Sequence, residues 1–348
     1  TYTWTNSNTA IGLPASGSGD MPTFTALNTT SATITAIITI TPVLNGCTGP
    51  AVSFTITVNP LPVISAIANQ NVCSGATIPA SNFISTPSGA TYTWTNSNTA
   101  IGLASSGSGN LPAFTAINYT SAPISTTITV TPTLNGCAGP SSSYTITINP
   151  LPEVIVPGSF IICAGATVSA QNFGSTPAGA SFTWTNSNTS IGLPANGTGN
   201  VPSFTAVNNT SSPITATITV VPRLNGCAGP AKTYTITINP QPIISSISNS
   251  IVCAGEIIES SNFTSNIQGT TYRWTNSNTA IGLAASGTGN VPSFTALNSS
   301  VFAVSATITV TPVLNGCSGT PVKYTITINP LPVITSAIAT AESQCDFK

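Results

Sequence analysis

Threonine and an apolar residue alternate through much of the chain. Ile214, Ala216, Ile218 and Val220 share one parity, with Thr215, Thr217 and Thr219 on the other. Tyr234, Ile236 and Ile238 alternate with Thr235 and Thr237 in the same way. A period of two sends successive side chains to opposite faces, so these stretches are predicted as strands with one buried face. Turn formers stand between them. Asn225-Gly226 is a two-residue hairpin signal, because both central positions of that turn require a positive φ. Asn186-Ser187-Asn188-Thr189 is predicted as a polar turn held by bonds from side chain to backbone. Gly197, Gly199 and Pro202 punctuate the next loop. No 3.6-residue pattern is sustained, so helix is expected to be essentially absent.

The whole pattern recurs. Trp-Thr-Asn-Ser-Asn-Thr is read at Trp4 to Thr9, Trp94 to Thr99, Trp184 to Thr189 and Trp274 to Thr279, at a constant offset of 90 residues. A fixed period of this size marks an array of like modules. The repeat uses every tryptophan in the chain. Flanking alternation, as in Phe182-Thr183-Trp184-Thr185, places Trp4, Trp94, Trp184 and Trp274 in half-buried strands as core residues. About seven short strands per period, separated by turn signals, predict an all-β protein of tandem immunoglobulin-like β-sandwich modules.

Proline marks the boundaries. Asn59-Pro60-Leu61-Pro62, Asn149-Pro150-Leu151-Pro152, Asn239-Pro240-Gln241-Pro242 and Asn329-Pro330-Leu331-Pro332 read as short stiff joints, since proline fixes its own φ and holds its predecessor extended. The expected division is an incomplete module 1–60 lacking its opening strands, modules 61–150, 151–240 and 241–330, and a fragment 331–348 holding an opening strand. A chain that opens in mid-repeat is expected to have its true start elsewhere.

The cysteines keep the same period. Cys47, Cys137, Cys227 and Cys317 lie 90 apart, as do Cys73, Cys163 and Cys253, and Cys345 falls two residues past its expected place. With no histidine and no C-x-x-C pair, this complement reads as disulfides of an exported, extracellular protein. Pairing within the proline-bounded units predicts Cys73–Cys137, Cys163–Cys227 and Cys253–Cys317, leaving Cys47 and Cys345 unmated. The competing arrangement joins Cys47 to Cys73 across a joint.

Composition removes several function classes. Only 3% of residues are charged and the net charge is -1, so no basic field exists to hold nucleic acid or an anionic membrane. No apolar run reaches the length of a membrane span. Asp20, Glu153, Glu256, Glu259, Glu342 and Asp346 do not recur from module to module. Acid–base catalysis needs tuned groups converging on one site, and Lys232 and Lys323 lack a nucleophile motif beside them. No catalytic residue, metal site or cofactor is therefore expected. Two binding readings remain. The amides of Asn96, Asn98, Asn186 and Asn188 could contact a glycan, and the outward threonine rows could form an ice-binding face.

The ordered set Cys73, Gly75, Tyr92, Trp94, Asn135, Gly136, Cys137 and Tyr144, with equivalents 90 residues on, resembles PKD-like, immunoglobulin-like repeats. Such repeats occur in very long surface proteins of Bacteroidota, including gliding-motility adhesins exported by the type IX system. The resemblance implies a bacterial cell-surface location. It also implies partners among neighbouring modules of a longer chain, surface polysaccharide or other cell-surface proteins. The acidic residues common in many such repeats are missing, so calcium is not expected to rigidify the modules. The expected role is a non-catalytic, disulfide-stapled stalk or filament segment of an adhesin. The alternatives are a multivalent glycan- or ice-binding array and spacer modules of a secreted hydrolase.

Strands of roughly eight to ten residues at about 3.3 Å each would make every module about 30–40 Å long. Modules joined end to end should form a rod in which only neighbours touch. Small-angle scattering is expected to return the distance distribution of an extended rod; that of a compact globule would contradict the arrangement.

Overall fold

The structure is a computed structural model, and it describes residues 1–334. The chain forms two compact units. One comprises Thr1–Val154 with Gly174–Ser181 and Val221–Pro230; the other comprises Ile155–Phe173, Phe182–Val220 and the residues from Ala231 onward. Among the described residues the fold is all-β apart from four short 3-10 turns.

Residues 61–150 hold one full set of the recurring strands. Their main sheet has the order Ser106–Ser108, Thr91–Asn96, Ile124–Leu134, Ser142–Asn149, Gln70–Cys73. The Trp strand Thr91–Asn96 and the long strand Ile124–Leu134 run antiparallel, with Trp94 opposite Val130. The closing strand Ser142–Asn149 lies on the other side of the long strand, with Ile128 opposite Tyr144. The opening strand Gln70–Cys73 then joins the closing strand in parallel. The second layer is fragmentary, made of the pairs Thr77–Ile78 with Phe114–Thr115 and Val63–Ile64 with Ser85–Thr86. Residues 250–329 repeat the main sheet in the same order.

The threonine alternation resolves as expected from the period of two. In the long strand Thr126, Ile128 and Val130 are buried, while Thr127 faces out. Outward hydroxyls bond across the strands: Ser125 to Thr147 and Thr129 to Ser143, both at 2.9 Å. Such pairs stabilise an exposed pleat by roughly 0.2–1 kcal/mol each. The Asn-Gly hairpins are present too. Asn135 has φ 49° and Gly136 φ 79°, and Asn45, Asn225 and Asn315 adopt the same left-handed conformation.

The core closes on the tryptophan. Trp94 is 4% exposed and packs in one cluster with Ile101, Leu111, Ile128, Tyr144 and Ile146. Its ring lies flat on the neighbouring strand at Gly107, where an added Cβ would come within 2.2 Å of the indole. The same indole-on-glycine contact joins Trp184 to Gly197 and Trp274 to Gly287. Glycine is demanded there by close approach. The indole Nε1 atoms of all four tryptophans are buried without a hydrogen-bond partner among the described residues. Each such orphan costs about 1–3 kcal/mol, which the packing of the ring must offset.

The tyrosine of this core, Tyr144, recurs 90 and 180 residues on as Tyr234 and Tyr324, and burial raises the pKa of all three. Tyr234 is 3% exposed, its hydroxyl has no partner among the described residues, and burial pushes its pKa up to about 12. Tyr324 is pushed up by the same cause. An unfolded tyrosine ionises near 10.0, whereas folded Tyr234 keeps its proton to about 12. Its contribution is therefore complete below about pH 10 and disappears as pH rises from there toward 12, at up to about 1.4 kcal/mol per pH unit. Urea midpoints should be flat from about pH 6 to 9 and fall steeply above about pH 10. A midpoint that already falls between about pH 7 and 9 would mean that another group controls stability.

Candidate functional site, the stapled joint

Cys73 is the last residue of the opening strand and stands opposite Asn149, the last residue of the closing strand. Parallel pairing thus carries the cysteine to the pole where the chain leaves the module. Cys137 follows the Asn-Gly turn and pairs with Leu134, at the other end of the closing strand. Eight residues of strand separate the two poles by about 25 Å, and a cystine requires Cα atoms within about 7 Å. Pairing within a module is therefore excluded by geometry, and the expected Cys73–Cys137, Cys163–Cys227 and Cys253–Cys317 bonds are corrected.

The cystines cross the joints instead. Cys73 is bonded to Cys227, and Cys163 to Cys317, each with Cα atoms 5.5 Å apart and a sequence separation of 154. In both, the opening-strand cysteine of one repeat meets the hairpin cysteine of the next. The hairpin partners Cys227 and Cys317 are 1% exposed. Cys47, Cys137 and Cys253 are free, so the competing Cys47–Cys73 bond is not formed either. Cys253 nevertheless holds the same register, opposite Asn329, as Cys73 and Cys163 hold opposite Asn149 and Asn239. Cys345 and most of the fragment 331–348 lie outside the described residues.

A glycine brings the joint backbone against three of the hairpins. A Cβ on Gly229 would sit 1.7 Å from the Pro152 carbonyl oxygen, and Gly139 and Gly319 meet Pro62 and Pro242 at 1.8 Å. Any side chain there would push the joint away from the strand that carries the cystine. At the following joint the Asn239 amide donates to the Asn315 carbonyl at 3.4 Å. Sequence reasoning passed over these glycines, although Cys-x-Gly recurs after every hairpin turn.

The asparagines of the repeated turn are engaged with their own module. Asn96 is buried; its amide nitrogen donates to the Leu103 and Ala104 carbonyls at 3.0 and 3.1 Å, and its oxygen accepts from the Asn98 N–H and the Thr126 hydroxyl. Asn98 caps the turn Thr99–Ile101, accepting from the Ala100 N–H at 3.1 Å. Asn186 likewise donates to the Leu193 and Pro194 carbonyls, and Asn188 accepts from the Ser190 N–H. These are the side chains that the sequence offered for glycan contact.

A cavity of about 470 Å³ opens beside the second cystine-bearing joint, lined in part by Gly165, Asn208, Gln241, Pro242, Asn266 and Thr320. Its lining includes no titratable side chain. Among the described residues, no three of His, Cys, Asp and Glu cluster as metal ligands would. Glu256 accepts from the Cys253 N–H at 3.3 Å, in the turn that follows the opening strand. Among the described residues, no helix is long and apolar enough to cross a membrane.

Repeated sandwiches with the same sheet order, joined by short proline segments and cystines, define a tandem β-sandwich repeat protein. The chain belongs to the PKD-like domain family, which matches residues 70–152, 161–242 and 250–332. Among solved structures it is similar to protocadherin gammaB7 EC3-6, at 14% identity over 78% of this chain and 74% of that one, with a TM-score of 0.34. Mouse cadherin-23 EC22-24 matches at 13% identity over 78% of this chain and 99% of that one, TM-score 0.33. Sidekick-1 immunoglobulin domains 1-5 match at 13% over 95% and 74%, TM-score 0.31. Scores this low carry no inference about function. No curated protein matches the sequence.

Closing a loop of 154 residues stabilises by roughly 5 kcal/mol in the chain-entropy account. Because Cys73 and Cys227 share one bond, Cys73→Ser, Cys227→Ser and the double substitution should lower stability by the same amount. Additive losses, measured from unfolding midpoints, would contradict a shared cystine.

Proposed function

We propose that the chain is a stalk or filament segment of a bacterial cell-surface adhesin, exported and non-catalytic, whose role is to transmit position and force. The observation that carries this reading is the cystine across a joint. A covalent bond from one sandwich to the next resists bending and separation of neighbours. Cystines persist in oxidising, extracellular compartments, and the neutral Ser/Thr/Asn surface keeps such a segment in water without a charge pattern to seek a partner. Sorting by the type IX system and a part in gliding motility belong to this reading through the resemblance of the motifs. Its partners are neighbouring modules of the same chain, with polysaccharide or surface proteins engaged elsewhere.

A second reading keeps one observation of its own. The outward face of the main sheet in residues 61–150 is a grid of hydroxyls, which suits a repeated weak contact with glycan or ice, multiplied by avidity. Deletion separates the two. Removing residues 151–240 in frame joins Pro150 to Gln241 and takes out Cys163 and Cys227, leaving Cys73 to meet Cys317 in the vacated place. For a stalk, adhesion per molecule at fixed surface density should stay unchanged while the fibre shortens. A loss of adhesion with each module removed, at equal export and folding, would overturn the stalk and favour the array.

A further inference from the structure

The two cystines overlap in sequence. One spans Cys73 to Cys227 and the other Cys163 to Cys317, so the stretch from Cys163 to Cys227 lies inside both loops. We propose that this overlap makes the stretch from Cys73 to Cys317 a scission-tolerant, length-limited tether, in which backbone cuts at the joints Asn149 to Pro152 and Asn239 to Pro242 do not part its ends. The proposal concerns covalent continuity and holds whether or not an adhesive tip exists elsewhere.

Consider a cut at the joint Asn149 to Pro152. The upstream piece keeps Cys73, the downstream piece keeps Cys227, and their bond holds the two together. A cut at the joint Asn239 to Pro242 is bridged in the same way by Cys163 and Cys317. When both joints are cut, the middle piece is bonded upstream through Cys227 and downstream through Cys163, so three pieces remain one molecule. Cystines closed within modules would give none of this, because a single cut at a joint would sever the chain.

The joints are where protection is needed. Leu151 and Gln241 are exposed between buried prolines, in backbone outside the strands. Exposed irregular segments of this kind are the preferred sites of proteolytic nicking. The bonds that cover them are themselves shielded on one side, since Cys227 and Cys317 are buried. Thiol exchange requires access to the sulfur under attack, so burial directs solvent thiols away from the hairpin half of each bond.

The overlap also limits extension. With the module cores unfolded, load entering at Cys73 crosses to Cys227, runs back to Cys163 and crosses to Cys317. That path omits roughly 180 residues of the chain, about 600 Å at roughly 3.4 Å per residue. Reduction should therefore lengthen the fully extended chain about twofold.

The test uses the full chain with a specific protease sequence inserted after Pro150 and another after Pro240, every cysteine retained. After digestion at both sites, a denaturing gel without reductant should show one band at the mass of the whole chain; with reductant it should show three. Fragments released without reductant would overturn the proposal. In a Cys73→Ser version, digestion should release the amino-terminal piece without reductant, and its retention would equally overturn it. The unaltered chain gives an independent readout should the insertions disturb folding. After a single nick by a broad-specificity protease between Cys73 and Cys317, it should keep its mass on denaturing gels until reduced. Pulled by its ends, the oxidised chain should reach about half the extended length of the reduced one, and equal lengths would refute the limit.

Discussion

The parallel bond ladder between the opening and closing strands is the constraint on which the other features depend. It sends the residue after Val72 to the pole where the module ends, although that residue comes from the beginning of the module. Were the pairing antiparallel, Cys73 would face its own hairpin and the module could be stapled internally. Parallel pairing leaves it facing the next hairpin, and the cystine becomes a joint. Gly229 completes the arrangement by letting the Pro152 backbone lie against the hairpin strand. Topology, a glycine and a cysteine together turn a short connection into a bonded one.

Within each module the same economy of polar groups holds. Asn96 and Asn98 satisfy backbone donors and acceptors of an irregular turn that has no ladder to satisfy them. Asn118, which heads an Asn-x-Thr sequence, donates its amide to the Ala122 and Ile148 carbonyls and is buried, so it too serves the fold. Neutral hydrogen bonds and apolar burial carry the structure, and the few charged side chains are scattered over it. A fold built this way gains little from ion pairing and is correspondingly little affected by screening.

The repeat, the strands, the Asn-Gly hairpins and the class of fold were legible in the sequence, because each rests on local chemistry. Alternation reports a buried face, and a two-residue turn reports its own φ angles. The polar turn after the tryptophan was legible for the same reason, down to its asparagines capping backbone N–H groups. The cystine partners were not legible. Their choice depends on whether the opening strand runs parallel or antiparallel to a strand some seventy residues later, and spacing does not encode that direction. Membership of one proline-bounded unit favoured Cys73 with Cys137, when the closing strand in fact holds them a module's length apart. The glycines under the tryptophans were missed similarly, since Gly107 reads as loop punctuation until the ring is seen lying on it.

The most direct measurement is a peptide map of the chain digested without reduction. The account requires a linked peptide pair containing Cys73 and Cys227 and another containing Cys163 and Cys317, with Cys137 and Cys253 recovered as free thiols. Peptides joining Cys73 to Cys137, or Cys163 to Cys227, would contradict it, because either would return the staple to the inside of a module.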